Sequence, residues 1–547
     1  MREEIIETDV ICVGGGIAGL MAAIRASELG ARVVVAEKGN TVRSGGGATG
    51  NDHFLCYIPE IHGSDIDPII EEARRAVAGG AKRPESFIRA WLEKSFDMVR
   101  LWDNWGIPMT YGGQYEFAGH GFPGRPLIWL KYAGQKQKPI LTKQAHKRGA
   151  TIMNRVMMFD LFSAGDTLGA LGIDTREEKY YEFYAKSVIL ATGGCVRLYQ
   201  GPTPAWMFNL SDPPHTTGDG RAMAYRAGAA LIDMEIPIRW AGPKYFARCG
   251  KATWVGVLRD QRDLPVGPFV TKPDKKYGDI AADIYTNMFE DYALSGRGPI
   301  YMDCRGISQE DYEYMMHWLE QEGNTALLNH MKSEGIDVRK NPVEFSSYEV
   351  RPIGGVYYNE KGETTLKGLY AAGDEIVGNI SLAATFGWIA GENAAAYSKT
   401  LEALAGDRKL DTAMQEKMEL VEKIRGRNEG PDWKEVNIVL QQIMDDYAGP
   451  VRSETLSKAG LTYLQRLKEK AVETMNASNQ HELMHCVEVL NLIELGELIL
   501  VAAMERKESR GEHKRPDYPF TNPLLDGKTM FIEKGDHQRI VQWKTLG

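Results

Sequence analysis

The chain has 547 residues, 43% of them hydrophobic and 25% charged, with a formal charge of −9. Its length exceeds what one hydrophobic core serves, its composition is that of an ordinary soluble globular protein, and its acidic balance, with no concentrated patch of Lys and Arg, excludes a nucleic-acid binder. The six cysteines, Cys12, Cys56, Cys195, Cys249, Cys304 and Cys486, include no CxxC pair, so the sequence predicts reduced thiols and no metal or cluster cage built by this chain alone.

The opening residues, 1–8, are charged and show no signal-peptide pattern. Residues 8–13 (TDVICV) are a short apolar run, followed by Gly14-Gly15-Gly16-Ile17-Ala18-Gly19 and the helical pattern LMAAIRASELG. Strand, glycine turn and helix stand in the order a dinucleotide-binding βαβ unit requires. Gly14 permits the tight turn, Gly16 lets a pyrophosphate approach the backbone, and Gly19 lets helix and strand pack closely; Ile17 and Ala18 open the helix whose N-terminus faces the phosphates. A second strand, 31–36, ends at Glu37-Lys38, and Glu37 lies 18 positions past Gly19. There an acid can accept hydrogen bonds from the adenosine ribose, which favours a cofactor without a 2′-phosphate.

Three later segments choose between a nicotinamide and a flavin. Residues 186–194 (KSVILATGG) form a buried strand ending at Thr192-Gly193, and 216–220 (TTGDG, with Asp219) form a glycine-rich turn into a helix over 221–227. Residues 366–374 form another strand ending at Gly373-Asp374, followed by a small-residue helix over 384–396. In flavoproteins of the two-dinucleotide-fold type such strands bring a carboxylate, here Asp374, to the ribitol and pyrophosphate. FAD is therefore the expected cofactor. Helix-spaced apolar residues continue over 412–424, 433–446 and 482–506, with Gly449-Pro450 as a break. The most apolar stretch, 489–504, is interrupted by Glu494 and Glu497, which are costly at bilayer depth. A cytoplasmic protein is expected, associated with a membrane through partners if at all.

With these motifs the chain resembles the flavoprotein subunits of succinate dehydrogenase and fumarate reductase; L-aspartate oxidase and the α-subunit of adenylylsulfate reductase are relatives. The likeness runs through VGGGIAGLMAA, TVRSGGGATG, SVILATGG, TTGDGRAMAYRAGA, GRGPIYMD, GLYAAGDE, the pair Ser381-Leu382 and FGWIAGENAA, to KESRGEHKRPDYP at 507–519. RSGGGATG, WDNWGIPM and GRGPIYMD look most like the adenylylsulfate reductase branch. The resemblance implies an α/β fold: a two-piece Rossmann-like FAD domain (1–235 and 345–405), an inserted α+β capping domain (236–344), a C-terminal helical domain (406–510) and an irregular tail (511–547). It also implies an iron–sulfur (ferredoxin-like) partner subunit. The competing expectations are an adenylylsulfate reductase α-like subunit, a self-contained aspartate-oxidase-like dehydrogenase and a non-catalytic electron-transfer protein.

Covalent members of the family attach the flavin through a histidine; the matching residue here is Asn40, which has no nucleophilic imidazole, so a non-covalent FAD is expected. The backbone of Ser44, Gly45, Gly46 and Gly47 can donate to the flavin ring and stabilise negative charge on its reduced form. In the reacting half the sequence departs from its relatives. The family's proton-donating arginine aligns with Gly278, beside Asp279, its two histidines align near Trp240 and Val350, and its substrate arginine has no counterpart in DEIVGNISL. Fumarate, succinate, aspartate and adenylylsulfate are thus all unexpected substrates. The remaining candidates are Arg239 and Arg351 as anion clamps, His120 and Arg125 in AGHGFPGRP as substrate-facing groups, and Lys276, with Lys275, as proton donor; Tyr245 and Tyr348 are weaker. Trp206, Phe208, Trp240, Tyr245, Phe246, Trp254, Phe386 and Trp388 crowd the same segments; core packing explains most of them, and if half of them face the flavin the pocket suits a bulkier unsaturated acid, thioester or ring compound.

Overall fold

Five parallel strands end at one edge of a seven-stranded sheet, and that edge is where the glycine turns begin. In the computed structural model the sheet order is Thr151–Asn154, Val33–Glu37, Arg2–Val13, Lys179–Leu190, Thr167–Asp174, Val156–Ala164. Leu369–Ala371 also pairs with Lys179–Leu190. The structure describes all residues except 1, 49, 78–82, 165–166, 204–206, 208, 211, 240, 245–252, 268–269, 278–287, 348–350, 377, 403, 405–411, 536–537 and 547. Of the residues singled out from the sequence, Trp206, Phe208, Trp240, Tyr245, Phe246, Cys249, Gly278, Asp279, Tyr348 and Val350 lie outside the described residues.

The registers Val13↔Ala36, Val13↔Leu190 and Leu190↔Ala371 align the parallel strand ends, the usual place for a ligand crevice in an open α/β sheet. The first strand starts earlier than its apolar run: Arg2–Thr8 pairs in parallel with Lys179–Ala185, so backbone pairing carries a stretch whose side chains are mostly charged. Helix Ile17–Glu28 packs on helix Ile380–Ser398. A Cβ on Gly387 would lie 2.3 Å from the carbonyl O of Ala18, and one on Gly391 2.4 Å from that of Ala22, so the small residues of GWIAGENAA let the two backbones touch.

A second sheet, ordered Ala241–Pro243, Val343–Ser347, Ile300–Asp303, Val257–Arg259, is antiparallel. It has its own apolar core, which includes Trp254, Met302, Met315, Trp318 and Phe345. Further along, helices Thr412–Gly426, Trp433–Ala448, Glu454–Thr474 and Gln480–Glu505 pack together. The long last one is buried almost throughout; Glu494 pairs with Arg226 at 2.6 Å and Glu497 with Arg539 at 2.7 Å. Among the described residues no helix is long and apolar enough to cross a membrane.

The tail is not irregular as expected. Lys528–Lys534 and Arg539–Thr545 form a hairpin that adds to Leu231–Ile232, so its alternating residues have a sheet edge to complete. Just before it, the KESRGEHKRPDYP segment is an ion-pair staple. Arg506 reaches Glu235 (2.6 Å) and Glu508 (2.7 Å), and Arg515 reaches Asp517 (2.7 Å). His513 is fully buried, and burial pulls its pKa down to about 3. Its folded pKa lies below its unfolded value, so the unfolded chain takes up a proton first and stability falls as pH drops below about 6.5. Between about pH 6.5 and 5 this one group should cost about 2 kcal/mol. The melting temperature is therefore expected to drop over that window, and to drop less in His513→Gln; equal drops in the two proteins would remove His513 as the cause.

Candidate flavin cleft

The glycine turn is fixed from both sides. Gly14 has φ +97°, and a Cβ there would meet the carbonyl O of Ala191 at 2.4 Å; a Cβ on Gly19 would meet the carbonyl O of Gly14 at 1.9 Å. The crossing of the first turn over the end of the Lys179–Leu190 strand leaves no room for a side chain at either place. Glu37, buried at the end of its strand, accepts from Gly15 N and Gly39 N, each at 2.7 Å. Behind it Lys138 is buried and donates to the carbonyl of Gly15; burial brings its pKa down to about 8, against the pull of Glu37.

The next two turns are held by two buried charges. Glu375 accepts from Thr192 N (2.6 Å) and Thr192 Oγ1 (2.7 Å), while Arg221 donates to the carbonyls of Gly193 (2.8 Å) and Asp374 (2.7 Å). Asp219 does not stand alone: it pairs with Lys38 Nζ at 2.6 Å, and Lys38 also reaches Glu488 at 2.8 Å. Helix Gln480–Glu505 thereby ties its Glu488 and Asn491 to the cleft.

One long cleft joins these parts, lined by Gly14, Gly16, Ile17, Ala18, Glu37, Lys38, Gly45, Gly46, Gly47, Thr192, Gly193, Asp219 and Asp374. His215 Nε2 accepts from Gly45 N at 3.3 Å, and the far end is walled by Asn51, Asp52, His53, His120, Trp129, Asp212, Glu322 and Arg351. Several buried polar atoms along the cleft have no hydrogen-bond partner among the described residues: Asp374 Oδ1, Asn379 Nδ2 and His53 Nε2 on the cleft, and Ser44 Oγ beside it. Native proteins rarely leave such atoms unpaired without a ligand or water.

The far end contains a group that sequence reasoning missed. Strand His53–Leu55 pairs with Trp129–Lys131, setting His53 opposite Lys131. His53 Nδ1 lies 2.7 Å from Asp52, whose other oxygen accepts from Lys131 (2.7 Å) and from Thr253 Oγ1 (2.9 Å). Burial lowers the His53 pKa to about 4, Asp52 pulling it up and Lys131 down. The ring is neutral near pH 7, and the Asp52 contact places its proton on Nδ1. His120, with φ +48°, stacks its ring 5.4 Å from His53 and 4.9 Å from Trp129. No local motif announces this cluster; the strand pair assembles it.

Of the residues expected to face substrate, His120 and Arg351 line the cleft, and Arg351 is buried against Asp212. Arg239, Arg125 and Lys276 do not line it. Arg239 is paired with Glu290, Arg125 lies over Phe122 at 4.2 Å and 3.8 Å from Glu72, and Lys276 is exposed. Lys275 likewise turns to Glu310 at 3.6 Å. Ser381 and Leu382 sit just behind the lining residues Gly378, Asn379 and Ile380. Ser381 Oγ accepts from Trp91 Nε1 (2.9 Å) and donates to the Leu55 carbonyl (2.5 Å), and Leu382 N caps on Asn379. Trp254, Phe386 and Trp388 are core residues, packed respectively on Phe345, on Phe87 and beneath Arg25.

A glycine turn with no room for Cβ at Gly14 or Gly19, an acid ending the second strand, and orphaned donors and acceptors along the cleft fit FAD, and define an FAD-dependent oxidoreductase. The FAD binding domain family model matches residues 9–385, and the fumarate reductase flavoprotein C-terminal model matches 438–538. The chain belongs to the succinate dehydrogenase and fumarate reductase flavoprotein family. It is 27% identical to a fumarate reductase (CoM/CoB) subunit of Methanothermobacter marburgensis over 99% of this chain and 100% of that one. Against L-aspartate oxidase of Vibrio cholerae it is 24% identical over 94% and 96%. Its fold matches adenylylsulfate reductase of Archaeoglobus fulgidus with a TM-score of 0.84 at 22% identity, covering 99% and 96% of the two chains. A quinol fumarate reductase FrdA variant of E. coli gives 0.81 at 18%, covering 100% and 97%.

Proposed function

We propose that this chain is the catalytic flavoprotein subunit of an oxidoreductase that acts on an organic substrate with a single anionic group, not on a short dicarboxylate, and exchanges electrons with an iron–sulfur partner. The observation that carries the reading is the charge of the cleft's reacting end. Among the described lining residues Arg351 is the one arginine there, already faced by Asp212; Asp52 is matched by Lys131, and Glu322 adds negative charge. Two carboxylates need two cationic clamps, and a site of this sign repels the second. FAD, when bound, supplies hydride exchange at its N5.

The chain's own groups do the rest. Arg351 orients the anionic group, Trp129 and His120 wall the pocket, and His53, oriented through Nδ1 by Asp52, takes up the substrate's proton at Nε2 as hydride leaves for the flavin and returns that proton in the reverse direction. Lys38, Glu37, Thr192 and Asp374 hold the nucleotide and ribitol side. The six scattered cysteines, with no CxxC pair, favour a cluster carried by another chain. The holoprotein, reduced without oxygen, is expected to regain its visible flavin absorbance with unsaturated monoacids or their thioesters and not with fumarate. Reoxidation by short dicarboxylates alone would overturn the substrate reading, and a yellow, cluster-free complex from the native source would overturn the partner reading.

Attachment follows from Asn40, which is exposed and whose Oδ1 accepts from Val42 N at 3.0 Å in a local turn. An amide engaged in this way forms no bond to a flavin methyl group. Acid precipitation of the holoprotein is expected to leave the yellow colour in the supernatant; colour kept in the pellet would mean a covalent link.

A further inference from the structure

Beside the flavin cleft lies a second recess of about 460 Å³, and its lining is one-sided in charge. Among the described residues its lining contains Arg43, Arg155, Arg176 and Arg197 with His481 and His485, and no acidic side chain. In a chain of formal charge −9 such a concentration is unexpected. Lys38 and His215 line both cavities.

The cations are not consumed by internal partners. Arg43, Arg155 and Arg176 are exposed and make no side-chain ion pair with any described residue. Arg197 is fully buried at 5.1 Å over Trp433; its Nη2 donates to Glu488 at 2.9 Å, while Nε and Nη1 have no partner. Behind this wall Glu488 already serves Lys38, Arg197 and His485, and Asp219 is held by Lys38. His485 is fixed by that contact at 2.6 Å and by stacking on Trp433 at 4.2 Å. Arg155 and Arg197 both sit at φ +67°, a conformation that costs energy for a residue with a Cβ. A buried guanidinium with two idle donors, at the back of a recess rimmed by three uncommitted arginines, matches an acceptor with several oxygens.

We propose that this recess binds an oxyanion group, phosphate or carboxylate, beside the flavin cleft with which it shares Lys38 and His215, and independently of which substrate the flavin serves. The test is a calorimetric titration of the holoprotein with inorganic phosphate at constant ionic strength held by KCl. Saturable binding is expected, competed by sulfate and not by chloride. Arg176→Gln and Arg155→Asn, the latter chosen because asparagine tolerates positive φ, are each expected to weaken it by about tenfold, with flavin content unchanged. A titration without saturation, or equal binding by both variants, would overturn the site. The source of the oxyanion is read by adding phosphate during reduction of the flavin by an acidic ferredoxin. Competition assigns the recess to carboxylates of a docked electron carrier, and unaltered reduction assigns it to a free anion.

Discussion

Gly16→Ala is expected to fold as well as the parent chain and to lose FAD, whereas Gly19→Ala is expected to lose both. The two positions are three residues apart in one turn, yet their surroundings differ. A Cβ on Gly16 meets nothing nearer than the Ala191 carbonyl O at 3.8 Å, an ordinary contact, so the protein itself tolerates it. What it occupies is the space through which a pyrophosphate reaches the backbone at the start of helix Ile17–Glu28. A Cβ on Gly19 lies 1.9 Å from the Gly14 carbonyl O. Gly14 cannot retreat, because it is itself pressed on the Ala191–Thr192 backbone. The helix must lift from the strand, disturbing a core that is buried on every side. The measurements are flavin content after purification and the melting temperature of the flavin-free protein. Full flavin content in Gly16→Ala would place the pyrophosphate elsewhere, and an unchanged melting temperature in Gly19→Ala would show that the turn has slack its geometry denies.

Much of this half of the site was legible in the sequence because its determinants are local. The GGGIAG turn, Glu37, Thr192-Gly193 and Gly373-Asp374 each stand at the end of their own strand, and strand ends align in a parallel sheet whatever lies between them. Helix Gln480–Glu505 was visible from its apolar spacing, while helix Glu454–Thr474 was not. The latter buries only Ser457, Gly460, Leu464 and Ala471, so its contact face consists largely of small residues that carry no hydropathy signal. The early start of the first strand and the terminal hairpin were hidden for another reason: each depends on a partner strand far away in the chain.

Charged candidates fared worst, again for a physical reason. Arg239 and Arg125 were chosen for their neighbours in sequence, but a buried or half-buried arginine goes to the nearest carboxylate in space, here Glu290 and Glu72. Lys38 and Asp219 were both placed at the cofactor site, and their salt bridge, extended to Glu488, was not foreseen. Only the fold reveals that a C-terminal helix supplies this second carboxylate.

His53 is the residue whose loss is expected to cost most in turnover. It presents an unpartnered Nε2 to the cleft while Asp52 holds Nδ1 at 2.7 Å. His53→Gln is expected to keep FAD and to slow reduction of the flavin by the saturated form of its substrate, the direction in which Nε2 takes up a proton, by about 10²- to 10⁴-fold, the usual worth of a positioned acid or base. A loss of rate alone would not separate proton transfer from shape, so the pH profile is the sharper measurement. With its pKa near 4, the ring stays neutral from pH 7 downward until that point, and turnover in the parent chain should show no imidazole step near the ordinary value of 6.5. Lys131 helps to hold the pKa down, so Lys131→Met is expected to move the acid limb to higher pH. Removing Lys131 also leaves Asp52 with His53 and Thr253 as its remaining partners, which strengthens the pull of that carboxylate on the imidazole in the same upward direction. A histidine that merely fills space would leave the profile of Lys131→Met superimposable on that of the parent chain, and that result would take the proton away from His53.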